Sequence, residues 1–97
     1  QFAEMNKHKG AFFVNTVQLE CFLAVAQYLN FSKAAESVSI TQPAVSHQIG
    51  SLEDELGVKL FVRTSKSVSL TREGIMFRRR ADTKNSRLGK IQAVRKA

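Results

Sequence analysis

The sequence predicts a mainly α fold: a three-helix core, a two-stranded wing and a C-terminal linker helix. Three observations carry that expectation. Three segments between Asn15 and Leu56 show helical apolar spacing or strong helix formers. Only "SIT", 39–41, separates the second of them from the third, which is helix-turn-helix spacing. Beyond Gly57, the short β-prone runs "LFVR" and "SVSL" bracket Thr64, Ser65 and Lys66.

The opening "QFAEMNKHKG" has no periodicity and ends in Gly, so residues 1–14 are expected to form a flexible N-terminal extension. His8, between two lysines, is expected to be solvated. In "NTVQLECFLAVAQYLN", Leu19, Phe22, Leu23, Ala26 and Leu29 recur at helical spacing with Val25 beside them. They predict the core stripe of a first helix. Asn15 or Thr16 can cap it, Gln18 falls three residues after Asn15, and Asn30 suits its exit. Cys21 reads as a small buried or half-buried hydrophobe.

"FSKAAESVSI" predicts a short second helix with Ser32 as its N-cap. Ala34 and Ala35 favour the helix and let a neighbour approach closely. The third helix runs from Thr41 as N-cap to about Leu56. Pro43 fits because first-turn N–H groups have no intrahelical partner. Gly57 supplies the left-handed stop. On the helical wheel Val45, Ile49, Leu52 and Leu56 form a core stripe, and Pro43, Ser46, His47 and Gly50 lie opposite.

After the hairpin, Thr71 can cap a last helix, with Glu73 favourably placed in its first turn. The pattern supports a helix to about Ala81. Farther on, Leu88, Ile91 and Val94 are apolar, but Lys84 and Arg95 interrupt any regular seam. These elements spell a winged helix-turn-helix over residues 15–71, followed by a basic linker helix over 72–97.

Bulk properties narrow the function. The 97 residues suffice for one small domain, and 43% of them are hydrophobic. A single cysteine excludes an intramolecular disulfide framework and fits a reducing compartment. No apolar run approaches the roughly 20 residues of a membrane helix. A cytoplasmic protein with no membrane partner is expected. The formal charge is +7, and its placement matters more than its size. Residues 1–71 hold six basic and six acidic residues, whereas 72–97 hold nine basic and two acidic. This asymmetry suggests a polyanion partner, nucleic acid or an acidic membrane surface. A solvated basic tail is the plainer explanation.

An enzyme is not expected. There is no paired-histidine metal spacing, no glycine-rich phosphate loop and no Ser-His-Asp set. Ser46 and His47 are sequence neighbours whose side chains diverge by about 100° on a helix, a poor dyad. No cofactor or metal is expected either.

The ordered set "AA", "TQPAVSHQI", "LE-ELGV-LF-R" and "LT-EG" resembles the DNA-binding domain of the LysR-type transcriptional regulators, from about Asn15 to Gly74. The resemblance implies a bacterial transcription factor acting at the nucleoid, with double-stranded DNA as its partner. It also implies a homodimer through the first helix and the linker helix. An effector small molecule would bind only in a further C-terminal domain, which these residues do not include. Two features depart from the family pattern. The family's linker helix carries a cleaner apolar seam than "MFRRRADTKNSRLGKIQAVRKA", and a basic residue often follows "QI", where this chain has Gly50 and Ser51.

The residues themselves suit the role. The N-terminal residues of a recognition helix meet base edges. Gln42 can pair bidentately with adenine, and Ser46 can donate or accept. Pro43 and Ala44 offer apolar surface to a thymine methyl, and His47 can donate to guanine or reach a phosphate. The resemblance places base contacts at Gln42, Pro43, Ser46 and His47. Gln42 and Pro43 also make simply a good helix start. Ser32, Lys33 and Thr41 sit at helix starts, where anions are favoured. The resemblance sends Lys66 toward the minor groove and Arg63 to the backbone. Arg63 could instead pair with an acid such as Glu53.

The third helix is neutral at its start and acidic at Glu53, Asp54 and Glu55. Asp54 lies about 18 Å along the axis from Gln42. The helix is therefore expected to enter a groove tip first, with its acidic end facing Arg63 or another basic side chain. Two rivals remain: a nonspecific architectural nucleic-acid binder, and a winged-helix module for protein association.

Overall fold

The structure, a computed structural model, describes residues 14–87, with side chains described to Ala81. The expected N-terminal extension, except Val14, and the tail beyond Arg87 lie outside the described residues. The elements are α1 (Thr16–Tyr28), α2 (Phe31–Val38), α3 (Gln42–Leu56), β1 (Phe61–Arg63), β2 (Val68–Leu70) and α4 (Arg72–Arg87). This is the winged helix-turn-helix order. The last helix continues past Ala81, where the apolar pattern thins.

Asn15 caps α1 with a full capping box. Its side chain accepts from the Gln18 N–H at 2.7 Å, and the Gln18 carbonyl Oε1 accepts from the Asn15 N–H at 3.0 Å. The helix ends one residue before the expected exit, at Leu29, which takes the left-handed conformation with φ 48°. Asn30 is thereby released for another task. It caps α2 by accepting from the Lys33 N–H at 2.9 Å. Ser32 is therefore not the N-cap; it sits inside the first turn of α2.

Ser39, at φ 61°, closes α2, and Thr41 opens α3 by accepting from the Ala44 N–H at 3.2 Å. Gly57, at φ 76°, stops α3 as expected. The strands pair antiparallel, with Phe61 opposite Leu70 and Arg63 opposite Val68.

The three helices α1, α2 and α3 pack on one another, and α4 lies against α1 and β2. Phe22, Val25, Val45, Ile49, Leu52 and Leu60 are fully buried at the centre. Ala34 and Ala35 are buried between helices, as close packing requires. Phe22 meets Phe77 edge to face at 4.9 Å and Phe61 at 5.4 Å, which joins α1, α4 and the wing.

The core face of α1 differs from the expected stripe. Gln18, Cys21 and Ala24 are buried, Leu19 and Leu23 are only partly so, and Leu29 is exposed. Gln18 tolerates burial because its Nε2 donates to Ser51 Oγ at 3.0 Å while its Oε1 serves the cap. Ser51 thus has a structural partner where the family pattern often has a cation.

Thr71 fastens the wing to α4. Its hydroxyl donates to Lys59 O at 2.7 Å and accepts from the Gly74 N–H at 2.9 Å, while its own N–H donates to Leu60 O at 2.9 Å. Gly74 is buried where a Cβ would collide with the Leu60 carbonyl oxygen, so α4 can begin this close to the wing only on a glycine.

Candidate nucleic-acid interface

Three segments converge beside the start of α3. The α1–α2 corner brings Leu29, Asn30, Phe31 and Ser32; α3 brings Gln42 and Ser46; the wing brings Arg63 through Val68. They line an open, mostly polar cleft of about 350 Å³. Five sequence-predicted residues meet there: Ser32, Gln42, Ser46, Arg63 and Lys66. The other five, Lys33, Thr41, Pro43, Ala44 and His47, lie outside its lining. Four of these are exposed, and Ala44 is half-buried.

Hydrogen bonds order the cleft. The Ser32 hydroxyl donates to Gln42 Oε1 at 2.9 Å and bridges the two helices of the helix-turn-helix. The Thr41 hydroxyl is committed to the Ala44 N–H, so its first role is that of a cap. Arg63 Nη1 donates to Ser46 Oγ at 2.9 Å. The Arg63 guanidinium also lies over the Phe31 ring, 4.3 Å from its centroid. At the wing tip, Thr64 Oγ1 accepts from the N–H groups of Lys66 at 3.2 Å and Ser67 at 2.9 Å. That turn presents the exposed Lys66 side chain at the edge of the cleft.

The alternative pair of Arg63 with Glu53 does not form. Glu53 is buried, and its Oε2 accepts from the N–H groups of Leu60 at 2.8 Å and Phe61 at 3.3 Å. Its other oxygen lies 3.9 Å from Lys59 Nζ, which is exposed. The acid near the end of α3 thus anchors the wing backbone, and Lys59 is its basic neighbour. Arg63 is left at the cleft, held by an aromatic face and a hydroxyl.

Sequence reasoning missed Asn30, Phe31, Thr64, Ser65 and Ser67 as parts of the cleft. The Thr64-Ser65-Lys66 turn was a visible signal for the wing residues. Nothing local marks Phe31, because its cationic partner comes from a different element.

Among the described residues no group of three His, Cys, Asp or Glu side chains could hold a metal ion. Cys21 is buried away from the cleft; burial pushes its thiol pKa up, and neighbouring Glu20 adds to the effect. No helix among the described residues is long and apolar enough to cross a membrane.

Residues 16–75 match the family described as bacterial regulatory helix-turn-helix protein, lysR family. The chain is 57% identical over 56 residues to the glycine cleavage system transcriptional activator of Escherichia coli strain K12, covering 58% of this chain and 18% of that protein. It is 48% identical over 61 residues to the RuBisCO operon transcriptional regulator of Allochromatium vinosum, covering 63% of this chain and 20% of that protein. The chain spans about a fifth of the length of these curated relatives. Among solved structures, the BenM DBD in complex with benA site 1 DNA superposes with a TM-score of 0.72 at 38% identity, covering 81% of this chain and 89% of that one. The CbnR DBD–DNA complex gives a TM-score of 0.72 at 32% identity, covering 81% and 91%.

Proposed function

The chain belongs to the LysR family of bacterial regulatory helix-turn-helix proteins, and from that membership we propose that it binds double-stranded DNA sequence-specifically as the DNA-binding part of a transcriptional regulator. The observation that carries the reading is the shared cleft of Gln42 and Ser46 on α3 with Arg63 and Lys66 on the wing. One element offers neutral hydrogen-bonding groups suited to base edges, and the other offers cations suited to phosphates. That both relatives named above as DNA complexes share the fold supports the same reading.

The start of α3 enters the major groove tip first, with Gln42, Pro43, Ala44, Ser46 and His47 toward the bases. Lys33 and Thr41, at the starts of α2 and α3, lie near phosphates, as does Arg63. Lys66 reaches the minor groove. Residues 15–71 form the binding unit, and the helix beyond Thr71 links it onward. Val17 on α1 and Ile75 and Met76 on α4 are exposed apolar side chains, which supports a homodimer through these two helices. An effector small molecule acts through a part of the regulator beyond this domain, and the site of action is the bacterial cytoplasm.

Selection of duplexes from a random pool at physiological salt, with the mass of the bound species measured in solution, tests the proposal. A dyad-related site bound by a dimer is the expected result. Equal affinity for all duplexes would replace it with a nonspecific architectural role, and failure to bind any duplex at any salt with a protein-association module.

A further inference from the structure

We infer that Ser32 is a positioning residue that sets which end of the Gln42 amide faces DNA, so that the start of α3 reads bases as a hydrogen-bond donor. The inference rests on the DNA-binding reading above. A glutamine amide is nearly symmetric in shape and carries opposite hydrogen-bonding character at its two ends. A free exposed glutamine can turn either end toward a base, or both in one plane. Here the Ser32 hydroxyl donates to Gln42 Oε1, which fixes the carbonyl toward α2. The NH₂ end remains to face outward.

Ser46, one turn along the same helix, repeats the arrangement. Arg63 Nη1 donates to Ser46 Oγ, so the guanidinium occupies an acceptor site of that oxygen. Arginine can only donate. The Ser46 hydroxyl keeps its proton for another partner and has one acceptor site fewer to offer. The two side chains best placed to read bases each have an acceptor engaged from within the protein, by residues of two different elements.

A donor face selects acceptors. In the major groove these are guanine N7 and O6, adenine N7 and thymine O4. Bidentate pairing of Gln42 with adenine would need the carbonyl to accept from N6 in the same plane as the donor. The carbonyl oxygen keeps a second lone pair, but the bond to Ser32 holds it toward α2 and competes with that coplanar geometry. Adenine N7 is an acceptor too, but the N6 amino donor beside it would face the outward NH₂. The bases opposite Gln42 and Ser46 should accordingly be guanine or thymine, in preference to adenine or cytosine. Ser32 thus acts on sequence choice through Gln42, whereas its place at a helix start alone suggested a phosphate contact.

The test compares wild type with Ser32→Ala, Ser32→Thr and Gln42→Ala, each selected against the same random duplex pool at physiological salt. The position whose preference disappears in Gln42→Ala is the one Gln42 reads. At that position wild type should favour guanine or thymine. Ser32→Ala should relax that preference toward adenine by about threefold to tenfold, the scale of one hydrogen bond. Other positions and the salt dependence should not change, and Ser32→Thr, which keeps the hydroxyl, should behave as wild type. A uniform loss on all sequences with a shallower salt slope would overturn the inference and return Ser32 to the phosphate contacts. An unaltered base preference in Ser32→Ala, or a wild-type preference for adenine at that position, would overturn it also. Failure of wild type to prefer any duplex is a separate outcome: it removes the sequence-specific reading itself, and this inference with it.

Discussion

The Arg63 guanidinium rests over the Phe31 ring, 4.3 Å from its centroid, and joins the end of β1 to the start of α2. The same side chain donates to Ser46 on α3. One arginine therefore ties the wing to both helices of the helix-turn-helix. Phe31 itself packs edge-on to Phe61 at 6.3 Å, so the stacked cation continues into the core.

Arg63→Ala should lose both contacts and destabilise the fold by about 0.5–1 kcal/mol, the scale of an exposed cation–π pair. Arg63→Lys keeps the charge but not the planar group that stacks and forks. On DNA, the lysine variant should keep the wild-type salt slope with weaker affinity, and the alanine variant should lower the slope by about 0.9. Urea unfolding and salt-dependent binding measure the two effects. Equal slopes in all three proteins would show that Arg63 touches no phosphate.

Lys66 and Gln42 line the same cleft but should fail differently. Lys66→Ala removes a charge from the wing tip and should weaken binding on every duplex, lowering the salt slope by about one. Gln42→Ala removes no charge. It should cost about 1–3 kcal/mol at the preferred site and little elsewhere. Competition titrations with specific and scrambled duplexes at several salt concentrations separate them, and identical profiles for the two variants would reject the division of labour.

Glu53 holds the base of the wing through two backbone N–H groups, those of Leu60 and Phe61. Both lie in a buried environment, so removing the acceptor leaves two donors without water. Glu53→Ala should cost about 1–3 kcal/mol for each orphaned donor. Glu53→Gln keeps a carbonyl acceptor and should cost less. Amide exchange at Leu60 and Phe61 should quicken far more in the alanine variant. If the two variants unfolded at the same urea concentration, the bonds to Glu53 would contribute nothing measurable.

Two glycines should respond in opposite directions to alanine. At Gly74 the new methyl would meet the Leu60 carbonyl oxygen and lie 2.9 Å from Leu70 Cδ2, so α4 or the wing must shift. A cost of about 1–3 kcal/mol is expected. At Gly50 no atom lies within 4 Å of the added Cβ, and the helix interior gains about 0.5–1 kcal/mol. Thermal unfolding of both variants checks the signs. Gly50→Ala also bears on DNA: weaker binding by a more stable protein would mean that the groove wall approaches α3 closely at this point.

The sequence disclosed elements whose signals are local and concealed those whose partners are distant. The bounds of α3 were legible because Thr41, Pro43 and Gly57 each act on their own backbone. The hairpin was legible for the same reason. The core face of α1 was not, because a buried glutamine is credible only once Ser51, on another helix, is known to accept from it. Asn30 was misplaced because Leu29 takes the left-handed turn that a leucine ordinarily avoids. Gln42, Ser46, Arg63 and Lys66 of the cleft were legible from the neutral helix start and the basic wing, whereas Asn30 and Phe31 were not. The bonds within the cleft, Ser32 to Gln42 and Arg63 to Ser46, depend on how α2, α3 and the wing pack, and no spacing in the chain encodes that.

Cys21 offers a test of the core that is independent of DNA. Its residue is 1% exposed, and burial, with Glu20 nearby, raises the thiol pKa above its ordinary value of 9.0. The folded state therefore holds the thiol proton more tightly than the unfolded chain does. The resulting contribution is fully present below about pH 9 and is lost as pH rises from there through the higher folded value. Other groups titrate in that range, so the readout is a difference: wild type should lose stability between pH 8 and pH 10.5 (~2.5 units of pH) more steeply than Cys21→Ala. Consistent with a protonated, enclosed sulfur, a thiol reagent should label the native protein only at the rate of opening and the urea-unfolded chain at once. Rapid labelling of the native protein at neutral pH, or parallel pH profiles for the two proteins, would contradict the burial of this side chain in the α1 core.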